Sequence, residues 1–229
     1  MNFREYAEPI GKHSSLNPKL WDHDQLKSSV RGALLRIAED FLDFVDVPVR
    51  VLDIVIAGGN ANYTYTSHSD IDLHIIADYS QTPCDREAAE LFDTKRLLYK
   101  QELDLNIAGI PVELYIEDHR HPAVSSSYSI LRDQWIQHPR KDIPEYDEAE
   151  LEHWTNIWRT ILQHAIKTGS LQTCRKAVQL LRNYRKLGLG TAEGEFSVPN
   201  LVYKSLRNDD TLAGIIHFIN QLHSRDLSI

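Results

Sequence analysis

The chain has 229 residues, of which 42% are hydrophobic and 25% are charged, proportions that are ordinary for a globular protein. Its net charge of -8 argues against a protein that coats nucleic acid by electrostatics alone. No stretch approaches the roughly twenty apolar residues of a membrane span, and the N-terminus lacks an apolar secretion segment, so we expect a cytoplasmic protein with no membrane partner. The two cysteines, Cys84 and Cys174, lack metal-ligand spacing, which favours a reducing compartment and argues against a zinc site.

The first half of the chain has the alternation of helices and strands that is typical of a mixed sheet. The residues before position 16 are polar and mixed and predict a tail. In chain order the predicted elements are a helix over 25–45 capped by Asp24, a strand over 49–57 that ends in a glycine turn, a strand over 69–76, a helix over 85–101 and a hairpin with arms 103–107 and 110–116. We expect a mixed sheet with helices against one face.

The second half predicts mainly helices. Residues 128–131 and 134–136 favour a small hairpin. Beyond it, apolar residues at helical spacing predict helices over 148–166 and 171–187 and a further helix that begins at Val198, capped by Ser197. The fold class is therefore α+β, with a tail over residues 1–15, a sheet-containing domain over 16–145 and a small helical domain over 146–229.

Two carboxylates follow the glycine turn at a spacing of two residues. In a strand, residues i and i+2 point to the same face, so Asp70 and Asp72 project together while Ile71 and Leu73 turn toward a core. Two ionised carboxylates this close repel each other unless a cation or a proton lies between them. Because Mg²⁺ takes hard oxygen ligands, often one or two carboxylates with substrate phosphates, the pair predicts a magnesium site.

A third carboxylate is available on the later hairpin. Glu113 lies in the middle of its second arm, and if this arm pairs beside the Asp70 strand, three carboxylates converge on one face. A two-metal phosphoryl-transfer site needs this ligand set, with two Mg²⁺ ions or, as an alternative, Mn²⁺. The rival is Glu117. We prefer Glu113, because Glu117 is followed at once by residues 118–122, where the strand is expected to end.

These residues carry a family resemblance. The stretch 57–76, with the third carboxylate at Glu113, resembles the nucleotidyltransferase superfamily of DNA polymerase beta, whose members share a Gly-Ser turn, an Asp-x-Asp strand and a third acidic strand residue. Gly58 precedes Asp70 by 12 positions, as in many small members. The resemblance implies a palm domain over 16–145, with the three carboxylates as catalytic and metal-binding residues.

A second resemblance covers more of the chain. Residues 16–21 and 194–201 are similar to segments of uncharacterised nucleotidyltransferase-like proteins from tailed phages. It implies no particular substrate. A phage protein of this kind would act in the cytoplasm of the host.

One position departs from the superfamily pattern. Family members usually carry Ser after the first Gly, and its hydroxyl and amide hold the triphosphate, whereas this chain has Gly59. A glycine turn still lets the main chain approach phosphate closely, so we place the triphosphate contact at Gly58 and Gly59, with Asn60 as a further expected contact. The sequence leaves open which of four side chains replaces the hydroxyl: Asn60, Asn62, Ser67 or Ser69.

A basic helix lies in the second half. No acidic residue occurs between positions 171 and 192, and Arg182, Arg185 and Lys186 lie close together there. In this superfamily the helical domain often supplies cations that grip the β and γ phosphates, so the resemblance implies this role. A solvated helix face is the equally weighted alternative.

Taken with the resemblance, these residues predict a Mg²⁺-dependent nucleotidyltransferase that moves a nucleoside monophosphate from an NTP to an acceptor hydroxyl and releases pyrophosphate. The acceptor stays open between an RNA or tRNA 3' end, a small molecule and a protein side chain, and so does the oligomeric state. The alternative is a non-catalytic nucleotide-binding or partner-binding protein on the same fold. It is motivated by Gly59 in place of Ser and by Glu113 in place of the commoner Asp.

Overall fold

The computed structural model describes residues 9–81, 84–120, 126–141 and 145–228, and these residues form two units. The sheet unit comprises the described residues of Gly11–Lys141, and the helical unit comprises residues 145–228 with Pro9 and Ile10. The described chain is α+β, with a mixed sheet and six helices. Of the predicted tail, residues 1–8 lie outside the described residues, whereas the backbone N–H groups of Gly11 and His13 donate to the carbonyls of Thr64 and Tyr63 at 3.0 Å.

The sheet unit contains eight strands and two helices among its described residues. They are β1 (Trp21–Asp22), β2 (Gln25–Leu26), α1 (Ser28–Val45), β3 (Arg50–Ala57), β4 (Ile71–Asp78), α2 (Asp85–Glu102), β5 (Asn106–Ile107), β6 (Ile110–Asp118), β7 (Ser127–Ser129) and β8 (Gln134–Gln137). The strand predictions within 49–57 and 69–76, the helix over 85–101 and both hairpins are confirmed to within a few residues.

The six-stranded sheet has the order β5-β6-β4-β3-β7-β8. Strand β4 pairs antiparallel with β3 and parallel with β6, and α2 makes the crossover that a parallel pair requires. The register of the parallel pair sets Asp72 opposite Glu113 and Leu73 opposite Leu114. This register brings the two acidic strands together.

One face of the central strand forms the core of the sheet unit. The side chains of Ile71, Leu73 and Ile75 are fully buried, and those at positions 72, 74 and 76 are only partly buried. Helix α1 packs onto this core through residues such as Leu34 and Phe41. Strand alternation therefore directs the acidic side chains away from the apolar layer.

The start of the first helix differs from the prediction. Residues 25 and 26 pair with Trp21–Asp22 in a short hairpin, so α1 begins at Ser28 and Asp24 is not its N-cap. The hairpin buries both Trp21 and Leu26, each 2% exposed. Helical spacing alone places Leu26 on the helix. In the structure Leu26 instead pairs with Trp21 in the hairpin, which buries both side chains.

The helical unit contains four helices: α3 (Glu148–Thr168), α4 (Leu171–Leu189), α5 (Val198–Asn208) and α6 (Thr211–Leu227). Its core includes Leu151, Leu181 and Leu201, all fully buried. The carboxylate of Asp147 accepts from two backbone N–H groups at the start of α3, and the Ser170 hydroxyl accepts one at the start of α4. No helix in the described parts of the chain has the length and apolarity needed to cross a membrane.

Candidate metal centre

The three predicted carboxylates lie together at one end of the paired strands β4 and β6. One oxygen of each of Asp70, Asp72 and Glu113 lies within 4.8 Å of one oxygen of both others, and all three residues are half-buried. The convergence follows from the parallel register, because Asp72 faces Glu113 and Asp70 precedes Asp72 by two residues. The pairing of the two acidic strands, which was the condition for this convergence, is present. We call these residues the acidic triad.

The donor set of the acidic triad fits a hard divalent cation. Carboxylate oxygens are the ligands that Mg²⁺ and Mn²⁺ prefer. Three half-buried carboxylates at this spacing raise each other's energy unless positive charge is supplied. Among the described residues, no other group of three or more His, Cys, Asp or Glu side chains is close enough to hold a metal ion.

A lysine from the crossover helix supplies positive charge to one triad member. The ammonium of Lys100 donates to Oε1 of Glu113, and the Tyr115 hydroxyl donates to Oε2 at 2.8 Å. Burial alone would raise the pKa of Glu113, but the hydrogen bonds from Lys100 and Tyr115 and the charges of Lys100 and Arg96 outweigh it and hold that pKa below its usual value. Glu113 is therefore ionised at neutral pH.

A second layer of side chains fixes Tyr115. The Arg96 guanidinium lies 5.0 Å from the centroid of the Tyr115 ring, and the His74 ring stacks on it at 4.9 Å. Burial and the charge of Glu113 raise the pKa of Tyr115, so its hydroxyl keeps its proton and remains a donor. Lys100, Arg96 and Tyr115 were not predicted as site residues, although the spacing of four between the two cations on one helix is a detectable signal.

The rival carboxylate Glu117 has a different environment. Its Oε1 lies 3.1 Å from Nδ1 of His74, at ion-pair distance but outside hydrogen-bond geometry, and Glu117 is not part of the acidic triad. The choice of Glu113 as the third member is confirmed as a matter of position. Strand β6 ends at Asp118, within the residues where its end was expected, although it extends two residues beyond the predicted arm and includes Glu117.

The glycine turn after β3 packs directly against the triad. Gly58 has φ of +73°, and a Cβ atom there would overlap the Asp72 carboxylate, so the backbone approaches this carboxylate more closely than any side chain would permit. Gly59 then opens a 3-10 turn that ends at Ala61. A Cβ atom on Gly59 would lie 3.2 Å from the hydroxyl oxygen of Ser69.

Asn60 ties this turn to the start of β4. Its Nδ2 donates to the carbonyls of Ser69 at 3.2 Å and Asp70 at 2.8 Å, and its Oδ1 accepts from Asn17 at 2.8 Å. The backbone carbonyl of Asn60 accepts from the Trp21 indole at 2.7 Å. Because the residue is fully buried, the structure favours a bracing role for the Asn60 side chain over the predicted contact with phosphate.

The remaining polar candidates near the turn also differ in access. Asn62 is buried and its Oδ1 accepts from the backbone N–H of Tyr63. Ser67 is exposed, whereas Ser69 is partly exposed and its hydroxyl accepts from the Thr66 N–H at 2.9 Å. Of the four side chains that the sequence left open, Ser69 has its hydroxyl next to the position that a side chain on residue 59 would occupy.

The predicted phosphate-binding cations lie on α4 of the helical unit. Arg182 and Lys186 are exposed, but Arg185 is partly buried. Its Nε donates to Oδ1 of Asn200 at 3.0 Å, and its guanidinium lies 4.5 Å from the centroid of the Tyr203 ring. Arg185 therefore links α4 to α5, and its two neighbours present their charges to solvent.

Comparisons with known proteins yield no relative: no family model, no curated protein and no solved structure matches this chain. The resemblance to the polymerase beta superfamily accordingly rests on the motif residues themselves. What the geometry adds is the convergence of Asp70, Asp72 and Glu113 beside a glycine turn, a cation-binding donor set held by a parallel strand pair.

Proposed function

We propose that this chain is a nucleotidyltransferase whose sheet unit acts as the palm and whose acidic triad binds Mg²⁺ or Mn²⁺. The observation that carries the proposal is the convergence of Asp70, Asp72 and Glu113, one oxygen of each within 4.8 Å of the others. The proposed reaction transfers a nucleoside monophosphate from an NTP to an acceptor hydroxyl and releases pyrophosphate. ATP is the first NTP to test, and the base preference is open.

Each part of the site has a task in this reaction. Bound divalent cations would supply Lewis acidity toward the acceptor hydroxyl and neutralise charge on the leaving pyrophosphate. Asp70 and Asp72 are the carboxylates that hold the cation-triphosphate. Gly58 and Gly59 allow the backbone to approach the phosphates closely, and the Ser69 hydroxyl beside Gly59 takes the place of the family serine.

Glu113 serves the acceptor side. The acceptor oxygen attacks the α-phosphorus, the bond from that phosphorus to the bridging oxygen of pyrophosphate breaks, and the hydroxyl proton passes to a Glu113 oxygen. Its pKa lies below the usual value, so the carboxylate is in the basic form at neutral pH, and a hydroxyl activated by a cation needs only a modest acceptor. The Tyr115 hydroxyl orients that carboxylate through its 2.8 Å hydrogen bond.

A non-catalytic nucleotide-binding protein on the same fold is the second candidate. Two observations favour it: Gly59 stands where family members carry Ser, and the ammonium of Lys100 lies on the Glu113 carboxylate. Turnover separates the two candidates. With α-labelled NTP and a cell extract, an enzyme adds to an acceptor label that is absent when the Asp70→Asn and Asp72→Asn double variant replaces the wild-type protein, and the additional labelled product identifies the acceptor class.

Thermal unfolding tests nucleotide binding at the triad. We expect Mg²⁺ with an NTP to raise the Tm, because a ligand that binds only the folded state at one hundred times its Kd stabilises it by about 2.7 kcal/mol. For a chain of this length that corresponds to roughly 5 to 11 °C. Asp70→Asn combined with Asp72→Asn should abolish the increase, since the pair holds the cation-triphosphate.

The matched control is Asp22→Asn combined with Asp43→Asn, which removes the same charge from two exposed positions of the sheet unit. It should keep the full increase in Tm. An increase that survives in the Asp70 and Asp72 variant would place the nucleotide elsewhere and reject the proposed site. No increase with any NTP in the wild-type protein would reject nucleotide binding altogether.

A further inference from the structure

A cavity of about 240 Å³ lies between the last turns of α2 and the hairpin formed by β5 and β6. Glu113 belongs both to its wall and to the acidic triad. At about 30 Å³ per water molecule, this volume corresponds to roughly eight waters, below the range that is common for drug-sized ligands. The cavity therefore suits a small molecule or one end of a larger one.

The wall of the cavity combines two cations and two carboxylates with apolar side chains. Arg96 and Lys100 contribute the positive charges, Asp104 and Glu113 the negative charges, and residues such as Leu105 the apolar surface. Arg96 is fixed in place, because Nε and Nη2 both donate to Asp93 Oδ1, at 2.9 and 2.6 Å, and its guanidinium lies over the Tyr115 ring. The guanidinium and the ammonium are the groups of this wall that can bind an oxyanion of a small organic molecule.

Lys100 differs from Arg96 in its freedom. Its side chain is 57% exposed, and the hydrogen bond to Glu113 is the contact that holds its ammonium. That ammonium occupies Oε1, and the Tyr115 hydroxyl occupies Oε2, so both oxygens of Glu113 already accept a hydrogen bond and the Oε1 partner is the cationic one. Lys100 must therefore leave Glu113 before Oε1 can act as a metal ligand, and a released ammonium lies at the cavity wall without its carboxylate.

We propose that this cavity binds the acceptor, a small hydroxyl-bearing molecule with a carboxylate or phosphate group, and that Lys100 couples acceptor binding to cation binding. The inference rests on the proposed function, because the cavity adjoins the carboxylate assigned to the acceptor. With Lys100 on Glu113, both the cation ligand and the anion partner are withheld. With Lys100 on the anionic group of the acceptor, Glu113 is available to the cation. Each ligand thus favours the other.

Such coupling is reciprocal, and Mn²⁺ affinity measures it without any turnover. Mn²⁺ is titrated into the full chain without nucleotide, in chloride buffer and in sulfate or acetate buffer of equal ionic strength, with free Mn²⁺ followed by electron paramagnetic resonance. We expect one of the two oxyanions to tighten Mn²⁺ binding about fivefold or more. A larger effect of sulfate indicates a phosphate-bearing acceptor, and a larger effect of acetate a carboxylate-bearing one.

Variants locate the effect. Lys100→Met should bind Mn²⁺ more tightly than the wild-type protein in chloride, because the competing ammonium is gone, and should lose the oxyanion effect. Arg96→Met should weaken the oxyanion effect. Arg86→Met removes an exposed cation of the same helix that pairs with Glu90 and should behave as the wild-type protein does.

Several outcomes overturn the inference. An oxyanion effect that persists in Lys100→Met would place the anion elsewhere, for example at the glycine turn, and an unchanged Mn²⁺ affinity in that variant would show that Lys100 does not compete. Wild-type binding of Mn²⁺ with no response to either oxyanion would reject the cavity but leave the proposed function standing. No binding of Mn²⁺ at all would reject both.

Discussion

Strands β4 and β6 run parallel and carry carboxylates toward both ends of their pairing. The carboxylates at the two ends have different surroundings. At the carboxyl end, Asp118 is 9% exposed and Arg120 surrounds it: the backbone N–H donates to Oδ1 at 3.1 Å and Nε donates to Oδ2 at 2.8 Å. At the amino end, Asp72 and Glu113 face each other in register and Asp70 joins them.

At both ends, hydrogen bonds and positive charge lower the pKa of a carboxyl group. The two ends differ in how easily the cationic partner can move away. The hydrogen bonds and charge of Arg120, two residues away on the same chain segment, lower the pKa of Asp118 to about 2. Glu113 depends instead on Tyr115 and on Lys100, whose exposed side chain comes from another element. A carboxylate enclosed by its own neighbour is a structural ion pair, whereas one with a removable partner can exchange that partner for a ligand.

The largest expected effect comes from a substitution in the acidic triad, at the amino end of the strand pair. Glu113→Gln should retain Mg²⁺-NTP binding and lose turnover, because its carboxylate serves the acceptor more than it holds the triphosphate. Loss of a general base alone costs about 10² to 10⁴ in rate. Transfer of label from NTP to acceptor measures the loss, and the rise in Tm with Mg²⁺-NTP measures the retained binding.

Glu117→Gln is the matched control, since it removes a carboxylate four residues along the same strand whose neighbour is His74. It should leave turnover within a fewfold of the wild-type rate. If Glu117 proved essential and Glu113 dispensable, the acidic triad would not be the reaction centre. The functional carboxylate of β6 would then be the one toward its carboxyl end.

Local pattern predicted much of this arrangement. Alternation along β4 fixes the shared face of Asp70 and Asp72, and the turn at Gly109 fixes the hairpin that carries Glu113. The parallel register was beyond such reasoning, because it depends on how the crossover helix α2 sets one strand against another.

Non-local contacts account for the other misses. Asn60 was predicted to meet phosphate, but its partners Asn17 and Trp21 lie 43 and 39 residues away in sequence, so nothing local indicates its burial. Helix α6 was not among the predicted elements. It begins after Asp210, which has φ of +61° and provides no side-chain cap, so the usual start signal is missing.

A smaller effect extends the comparison to the cations of α4. Arg185 is engaged by Asn200 and Tyr203, as Asp118 is by Arg120, whereas Arg182 and Lys186 are exposed. We predict that Arg182→Gln with Lys186→Gln raises the KM for NTP at least tenfold, because well-placed bonds from cations to phosphate contribute roughly 1.5 to 3 kcal/mol each. Initial rates against NTP concentration measure the change, and circular dichroism checks the fold.

Arg185→Gln provides the contrast, since it should lower the Tm through loss of the link to α5. If Arg182 and Lys186 bind a polynucleotide acceptor instead, the KM for NTP is unchanged and the salt dependence of polynucleotide binding weakens. No change in either measurement would assign the two side chains to a solvated helix face.

The smallest expected effect concerns the enclosed end of the strand pair. Because Arg120 lowers the pKa of Asp118 from the usual 3.8 to about 2, the ionised carboxylate stabilises the folded state fully above pH 3.8 and loses this contribution as the pH falls through about 2. Asp118→Asn should therefore unfold at a lower urea concentration than the wild-type protein at neutral pH. The difference in midpoint should be constant down to about pH 4 and then shrink toward pH 2.

The size of that difference should be modest, because Arg120 keeps 46% of its side-chain surface in contact with solvent, which screens the pair. Turnover and the Mg²⁺-NTP increase in Tm should be unaffected, since Asp118 is the last residue of β6 and is not part of the acidic triad. A midpoint difference that does not vary with pH would show that hydrogen bonding rather than charge holds Asp118. A loss of Mg²⁺-NTP binding would contradict the proposed difference between the two ends of the strand pair. It would show that Asp118, a carboxylate enclosed by Arg120, acts on the acidic triad.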